Sequence, residues 1–228
     1  ARGFDGSAAQ LKQALTVTTN FDAFGASRLV IEAVPEVLDL KLEALTEIER
    51  QLPDDAIIAS NTSSIPLEQL AAGLTRPGQF IGLHFFNPVP ASTLIEIVVH
   101  ELTAPALPEA ARGWVRALGK TPITVTDSPG FASSRLGVAI ALEAIRMVEE
   151  GVASAADIDL AMELGYKHPT GPLKTTDIVG LDVRLGIAEQ LERDLGPRFA
   201  PPQLLRDMVA AGKLGRKSGQ GFYDWNDK

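Results

Sequence analysis

The order of apolar runs along the chain constrains its fold more than any other feature. Up to about residue 126, short runs typical of buried strands alternate with helical stretches, whereas the rest of the chain shows only helical periodicity. The strand-like runs are 28–33, 56–59, 80–84, 94–99 and 123–125, and the helices of the second half are 132–150, 154–164, 177–195 and 202–211. We therefore predict an α/β layer over residues 1–126, followed by an all-α domain over residues 127–228.

The first two strand-like runs are joined by the clearest helix in the sequence, from about Glu36 to Gln51. Its apolar side chains recur every three or four residues and form one stripe. They are Leu38, Leu42, Leu45, Ile48 and Leu52. A strand, a helix and a strand with short links form a βαβ unit, so we expect these two strands to be parallel.

Composition argues against several classes of protein. The net charge of −8 disfavours a broad nucleic-acid surface, which needs clustered lysine and arginine. No apolar run approaches the ~20 residues of a membrane helix. The chain has no cysteine, and its three histidines lack the spacing of a metal-ligand set. We expect a globular, cytoplasmic protein with no nucleic-acid, membrane or metal partner.

Polar residues follow two of the predicted strands. Ser60-Asn61-Thr62-Ser63-Ser64 continues the run at 56–59, and His84 ends the run at 80–84. In open α/β sheets, ligands bind outside the carboxyl ends of the strands. The sequence therefore predicts a ligand site with a hydroxyl cluster and a histidine.

His84 and Glu96 are candidates for proton transfer. Glu96 is the only charge in the run 94–99, and on a strand it shares a face with apolar residues, where a carboxylate needs a partner. If that strand returns beside 80–84, Glu96 lies near His84 and can orient an imidazole that acts as general base. The alternatives are a core histidine bound to a backbone carbonyl and a strand-end glutamate that faces water.

Seven motifs occur in a characteristic order along the whole chain. They are 29–36 (LVIEAVPE), 60–64 (SNTSS), 83–90 (LHFFNPVP), 128–131 (SPGF), 168–173 (HPTGPL), 177–182 (DIVGLD) and 215–223 (GRKSGQGFY). Together they resemble the 3-hydroxyacyl-CoA dehydrogenase family, and within it the short bacterial 3-hydroxybutyryl-CoA dehydrogenases. The resemblance implies a partial Rossmann-type, doubly wound domain that binds NAD over 1–126, with NADP not excluded. It also implies a helical domain for substrate binding and homodimerisation over 127–228.

The resemblance further implies an acyl-CoA substrate, 3-hydroxybutyryl-CoA in the first instance, and a role for each matched residue. The implied catalytic residues are His84 as base, Glu96 as its orienting partner, and Ser63 and Ser134, which also bind substrate. The implied cofactor contacts are Glu36, Lys41, Asn61, Ser63, Asn87 and Lys217. Ser134 departs from the family pattern, which has asparagine at this position. Without the resemblance, Lys41 is more simply a solvated helix lysine and Lys217 part of a basic turn.

The family begins with a strand, a G-x-G-x-x-G turn, a helix and a second strand that ends in an acidic residue, and a helical hairpin that contacts coenzyme A follows. None of these has a counterpart in the sequence. We therefore expect that roughly the first third of a whole protein is missing. Two alternatives stay open: a catalytically impaired fragment that acts as a dimerising module, and a dehydrogenase of the same family for another 3-hydroxy acid.

Overall fold

The computed structural model describes residues 8–226, which divide into two compact units between Phe131 and Ala132. The helices of the first unit are α1 (Ala8–Gln13), α2 (Leu38–Gln51), α3 (Leu67–Ala71) and α4 (Leu107–Ala117), with short 3-10 helices at Phe21–Ala26 and Pro77–Gln79. Its strands are β1 (Leu29–Glu32), β2 (Ile57–Ser60), β3 (Phe80–Phe85), β4 (Leu94–Val99) and β5 (Thr121–Thr126). None of the helices within residues 8–226 is long and apolar enough to cross a membrane.

The strands form one sheet in the order β1-β2-β3-β4-β5. Strands β1, β2 and β3 are parallel, which confirms the predicted βαβ unit, whereas β4 runs antiparallel to β3 and parallel to β5. The carboxyl ends of β1, β2 and β3 therefore share one edge of the sheet with the amino end of β4. This mixed sheet is a partial Rossmann-type arrangement, as the sequence predicts.

Apolar cores cover both faces of the sheet because successive side chains of a strand point to opposite sides. On one face, α2 and α3 pack against Val30, Ile58, Phe80 and Val98. On the other face, α4 packs against Ala59, Ile81, Ile95 and Ile97. Strands buried on both faces read as nearly continuous apolar runs, which is why they are visible in the sequence.

The second unit contains the helices α5 (Ser133–Glu149), α6 (Ala155–Tyr166), α7 (Pro172–Val179), α8 (Leu181–Leu195) and α9 (Gln203–Ala210). The prediction of one helix over 177–195 is wrong, because α7 and α8 are separate helices that meet at Gly180. The backbone of Gly180 has φ 107°, a conformation that interrupts an α-helix and favours glycine. The core of this unit includes Val138, Leu142, Leu173, Leu181 and Leu191.

The carboxylate of Asp177 fastens the end of the second unit. It is fully buried and accepts hydrogen bonds from the backbone N–H groups of Phe222 and Tyr223, each at 2.9 Å, and from Nε1 of Trp225 at 2.8 Å. The segment 215–224 contains a short 3-10 helix, Arg216–Ser218, and two isolated bridges, Gly215 with Gln220 and Gln220 with Asp224. A buried carboxylate with three donors therefore replaces a regular strand as the anchor of this segment.

Gly82 on β3 is required by the close approach of β4. It pairs with Val98, and a Cβ at position 82 would lie 2.6 Å from Val98 Cβ. We therefore expect Gly82→Ala to lower the free energy of unfolding by about 1–3 kcal/mol, as overpacking does in tight cores. The measurement is urea denaturation followed by circular dichroism.

Gly113→Ala is the matched control. Gly113 lies on an exposed part of α4, where an added Cβ meets nothing within 4 Å, so alanine should raise helix stability slightly. Equal stability of the two variants would contradict the close approach at Gly82.

Candidate active site

The pairing of β3 with β4 brings His84 and Glu96 together. The two residues are partners in the antiparallel register, and His84 Nδ1 lies 2.7 Å from Glu96 Oε2. Their side chains are only 6% and 0% exposed, so water is nearly excluded from the pair. The return of the second strand beside the first, on which the sequence prediction depended, is thus confirmed.

This geometry distinguishes the two nitrogens of the imidazole. A carboxylate at Nδ1 accepts a hydrogen bond, which favours the tautomer with the proton on Nδ1 and a lone pair on Nε2. Nε2 makes no hydrogen bond to any residue that the structure describes. His84 therefore has one nitrogen held in place and one available to a ligand. His100 is different, because its Nε2 lies 3.2 Å from the carbonyl oxygen of Phe80 and the whole residue is buried.

Two aromatic rings flank the imidazole of His84. The ring centroid of Phe86 is 4.6 Å away and that of Phe131 is 5.6 Å away. Phe131 has φ 51°, an unusual backbone conformation for a bulky residue, and it follows Gly130 with φ 71°. Such strain costs about 1–3 kcal/mol and persists where the surroundings enforce it. Here it directs a buried aromatic ring against the histidine.

Asn61 ties the strand that carries His84 to its neighbour. Its backbone N–H donates to the carbonyl of Glu32 at 2.9 Å, and its side-chain oxygen accepts from the N–H of Phe85 at 2.8 Å. The amide oxygen is therefore used inside the protein, whereas Nδ2 makes no hydrogen bond to the described residues. Asn61 fixes the carboxyl ends of β1, β2 and β3 relative to one another.

Glu36 organises the loop that follows β2. Its Oε1 accepts from the backbone N–H groups of Ser63 and Ser64, both at 2.9 Å, and from the hydroxyl of Thr62 at 2.5 Å. Burial alone would raise the pKa of Glu36, but the Thr62 hydrogen bond, the charge of Lys41 and the two amides outweigh it. The net result is a pKa below the usual value of 4.5.

Lys41 lies inside the same network and is only 1% exposed. Its Nζ contacts Glu32 Oε1 at 2.8 Å, the carbonyl oxygen of Val34 at 3.0 Å and Glu36 Oε2 at 3.2 Å. The simple interpretation of Lys41 as a solvated helix lysine is wrong, because these three acceptors match its three N–H groups. Its contact with a cofactor stays a prediction.

The remaining candidates lie in two groups. In the first unit, Ser63 is held by its backbone while its hydroxyl has no partner among the described residues, and Asn87 is exposed just beyond β3. In the second unit, Ser134 is half-buried in the first turn of α5, and Lys217 Nζ bonds to Asp182 Oδ2 at 2.6 Å. The structure therefore groups Glu36, Lys41, Asn61, Ser63, His84 and Glu96 on one sheet edge of the first unit, with Asn87 just beyond β3.

Glu32 and Phe131 belong to this environment but were not predicted from the sequence. Glu32 is 2% exposed and also accepts a hydrogen bond from the hydroxyl of Ser60 at 2.6 Å. The signal was present, because Glu32 ends an apolar run just as Glu96 interrupts one. No group of three or more potential metal ligands occurs within residues 8–226.

Several polar atoms on this edge have no partner within the described part of the protein and are of the kind that bind the ribose and nicotinamide of a dinucleotide. The Ser63 hydroxyl and Asn61 Nδ2 have no partner among the described residues. Asn87 is exposed and follows the end of β3 by two residues. Hydroxyl and amide groups are suitable hydrogen-bonding partners for ribose hydroxyls and a carboxamide. A buried histidine with one open nitrogen, at the ligand edge of an α/β sheet, is an arrangement that suits an oxidoreductase.

Comparison with known proteins identifies the family. Residues 3–128 match the model "3-hydroxyacyl-CoA dehydrogenase, NAD binding domain", and residues 130–225 match "3-hydroxyacyl-CoA dehydrogenase, C-terminal domain". The chain belongs to the 3-hydroxyacyl-CoA dehydrogenase family and is an NAD-dependent enzyme of this class. The family, fold class, enzyme class and cofactor expected from the sequence are thereby confirmed.

Relatives with similar sequences carry consistent names. The chain is 44% identical to a probable 3-hydroxybutyryl-CoA dehydrogenase of Deinococcus radiodurans, over 91% of the chain and 75% of the relative. It is 45% identical to the 3-hydroxybutyryl-CoA dehydrogenase of Mycobacterium tuberculosis, over 92% of the chain and 75% of the relative. The chain therefore spans about three quarters of the length of these relatives.

Solved structures agree. FadB2 of M. tuberculosis matches with a TM-score of 0.91 at 43% identity, over 95% of the chain and 77% of that structure. An NAD⁺-dependent dismutase, 5-formyl-3-hydroxy-2-methylpyridine 4-carboxylic acid 5-dehydrogenase, matches with a TM-score of 0.73 at 33% identity, over 91% of the chain and 68% of that structure. Similar folds thus occur in proteins with different named substrates.

The lowered pKa of Glu36 predicts a pH-dependent contribution to stability. The carboxylate stabilises the folded chain fully above its unfolded pKa of about 4.5, and this contribution is lost as pH falls through the lower folded pKa. Glu36→Gln should therefore lower the free energy of unfolding by about 1–2 kcal/mol at pH 7 and by less at about pH 3. Urea denaturation at the two pH values measures the difference.

Glu43→Gln is the control, because Glu43 is exposed on the same helix. It should change stability little at either pH. A loss for Glu36→Gln that is equally large at both pH values would contradict the role of the ionised carboxylate.

Proposed function

We propose that the chain interconverts 3-hydroxyacyl-CoA and 3-oxoacyl-CoA, with 3-hydroxybutyryl-CoA as substrate, and that His84 is the general base. The observation that carries the proposal is the asymmetric environment of the imidazole. Nδ1 is bound to a buried carboxylate at 2.7 Å, while Nε2 has no partner among the described residues. This is the arrangement expected of a base with an orienting partner.

Proton transfer follows from this geometry. Nε2 accepts the proton of the substrate 3-hydroxyl as that carbon becomes a carbonyl, and Glu96 stabilises the resulting imidazolium. In the reverse direction the imidazolium returns the proton to the oxygen. Phe86 and Phe131 cover the ring and limit exchange of the proton with water. NAD, when bound, supplies the acceptor for the hydride of the same carbon.

The family resemblance suggests how the other candidates take part. Ser63 would hydrogen-bond the substrate oxygen and lie beside the nicotinamide, and Ser134 would hold the thioester side. Glu36, Lys41, Asn61, Asn87 and Lys217 would form the cofactor side of the site. We propose residues 1–126 as the cofactor domain and residues 127–228 as the domain for substrate and self-association.

A second candidate keeps the reaction but changes the substrate to another 3-hydroxy acid. Two observations favour it: Ser134 is shorter than the family asparagine and lacks its amide, and a similar structure carries the name of a pyridine carboxylic acid dehydrogenase. Parallel assays with 3-hydroxybutyryl-CoA and free 3-hydroxybutyrate distinguish the candidates. Turnover of the free acid alone would contradict the acyl-CoA proposal.

The catalytic pair predicts a definite pattern of mutant kinetics. His84→Gln keeps a hydrogen-bonding group but removes the base, so kcat should fall by roughly 10²–10⁴ while NADH binding changes little. Glu96→Gln should also lower kcat, because a neutral amide cannot stabilise an imidazolium. The double variant should be scarcely slower than His84→Gln alone, since the two residues act as a unit. Steady-state assays of NADH formation measure all three.

The control is His100→Gln, which makes the same chemical change at a buried histidine bound to a backbone carbonyl. Its kcat should stay near that of the original chain. Cleanly multiplying effects of the single substitutions would show that His84 and Glu96 act independently. If the chain binds no NADH and shows no turnover but still dimerises, the non-catalytic dimerising module is the better description.

Self-association is proposed for the second unit because large apolar side chains remain exposed on its helices. Examples on α6 are Leu160, Leu164 and Tyr166, which are 48%, 63% and 77% exposed. Leu136 on α5 and Ile178 on α7 are also exposed. A unit this small cannot bury every apolar stripe internally, so a second copy is a natural cover.

Leu164→Glu should therefore shift the protein from dimer toward monomer, because it places a charge in the proposed interface. Sedimentation velocity at micromolar concentration measures the change. Leu118→Glu, at a 60% exposed leucine of the first unit, is the control and should leave the dimer intact. A monomeric original chain would contradict the proposal.

A further inference from the structure

Arg184 on α8 is a buried cation without a counterion among the described residues. It is 8% exposed, its guanidinium has no hydrogen bond or ion pair with them, and its Nε is shielded from solvent and unpartnered. Burial lowers the pKa of Arg184 to about 10. The side chain therefore stays charged at neutral pH, and a buried charge without a partner is strongly destabilising.

The guanidinium lines a small cavity within the second unit. His168, Thr170 and Thr175 face the same cavity of about 100 Å³, and Ile140 and Pro172 form its apolar wall. The side chains of His168, Thr170 and Thr175 make no hydrogen bond to the described residues. Four polar side chains with free hydrogen-bonding groups thus converge on one space.

The guanidinium lies beside Gly137 of α5. A Cβ at position 137 would be 3.4 Å from Nη1 and 3.9 Å from Nη2 of Arg184. The guanidinium therefore lies next to α5 at this position. Its planar set of N–H donors is rigid, so little entropy is lost for each hydrogen bond that it forms to a ligand.

We propose that this cavity binds a small oxyanion from solution, of the phosphate or carboxylate class. A guanidinium binds either group through two parallel N–H···O bonds, and the threonine hydroxyls and His168 can donate to the remaining oxygens. The cavity is well below the ~300–1,000 Å³ of pockets that hold drug-sized ligands, so it has the size for a phosphate or carboxylate group. The cavity belongs to the second unit, whereas His84 and Glu96 belong to the first.

Inorganic phosphate is the probe, compared with chloride at equal ionic strength. In chloride, Arg184→Met should melt at or above the temperature of the original chain, because it removes an uncompensated charge. In phosphate the original chain should melt at the higher temperature. Its melting midpoint should rise by roughly 5–10 °C when phosphate is at a hundredfold excess over its dissociation constant. The melting midpoint of Arg184→Met should not rise. Arg193→Met, at an exposed arginine of the same helix, should respond to phosphate as the original chain does.

Thr175→Val is a milder variant that keeps the shape of the side chain. It should raise the phosphate dissociation constant roughly ten- to a hundredfold, which is the effect of one lost hydrogen bond to a charged group. If Arg184→Met does not fold, broadening of the ³¹P resonance of phosphate by the original chain, reversed by acetate, tests the site directly. Absence of that broadening would overturn the proposal.

Two outcomes of the melting experiment would also overturn it. The first is an equal response of the original chain and Arg184→Met to phosphate, which would show a general salt effect. The second is no response to phosphate in the original chain together with a shift of Arg184→Met from dimer to monomer in sedimentation. The counterion would then be a carboxylate of a second copy instead of a free anion.

Discussion

The buried interaction of Lys41 with Glu32 and Glu36 organises the edge of the sheet on which the candidate active site lies. Each carboxylate serves a different segment: Glu32 bonds to Ser60 at the end of β2, and Glu36 bonds to the loop that carries Ser63. A buried lysine tolerates this environment only because both carboxylates are present. The network thereby converts the separate ends of β1 and β2 into one fixed surface, with the Ser63 hydroxyl on it.

The second constraint is the reversed direction of β4. In a wholly parallel sheet, only the carboxyl ends of strands would lie at this edge. The residues that follow those ends would then lie on loops. Because β4 returns antiparallel to β3, Glu96 enters the core directly opposite His84, within two rigid strands. The hydrogen bond of Asn61 to Phe85 then holds the end of β3, and Phe131 covers the ring. The imidazole is positioned by backbone pairing instead of by loop conformation, which suits a base that must meet a substrate in one geometry.

The strands, the βαβ unit and the proximity of His84 to Glu96 could be predicted from the sequence. Strands that are buried on both faces consist almost entirely of apolar residues, so they are easy to recognise. Glu96 was conspicuous as a lone charge in an apolar strand. Lys41 was misjudged on local grounds because its partners lie on β1 and in the segment after it, and helical periodicity does not report such contacts. The break at Gly180 was missed because apolar residues continue on both sides, whereas a single backbone angle separates the helices. The sequence patterns therefore missed the buried contacts of Lys41 and the backbone torsion of Gly180.

Lys41 and Arg184 show how the same physical rule gives different results in the two units. Both cations are almost fully buried, and both must offset the loss of hydration. Lys41 is offset by two carboxylates of its own unit, so its charge is compensated within that unit. Arg184 has no such carboxylate among the described residues, and the hydroxyls beside it cannot neutralise its charge. The first unit therefore compensates its buried cation from within the unit, whereas the second unit holds a buried cation that an anion from outside the unit would balance.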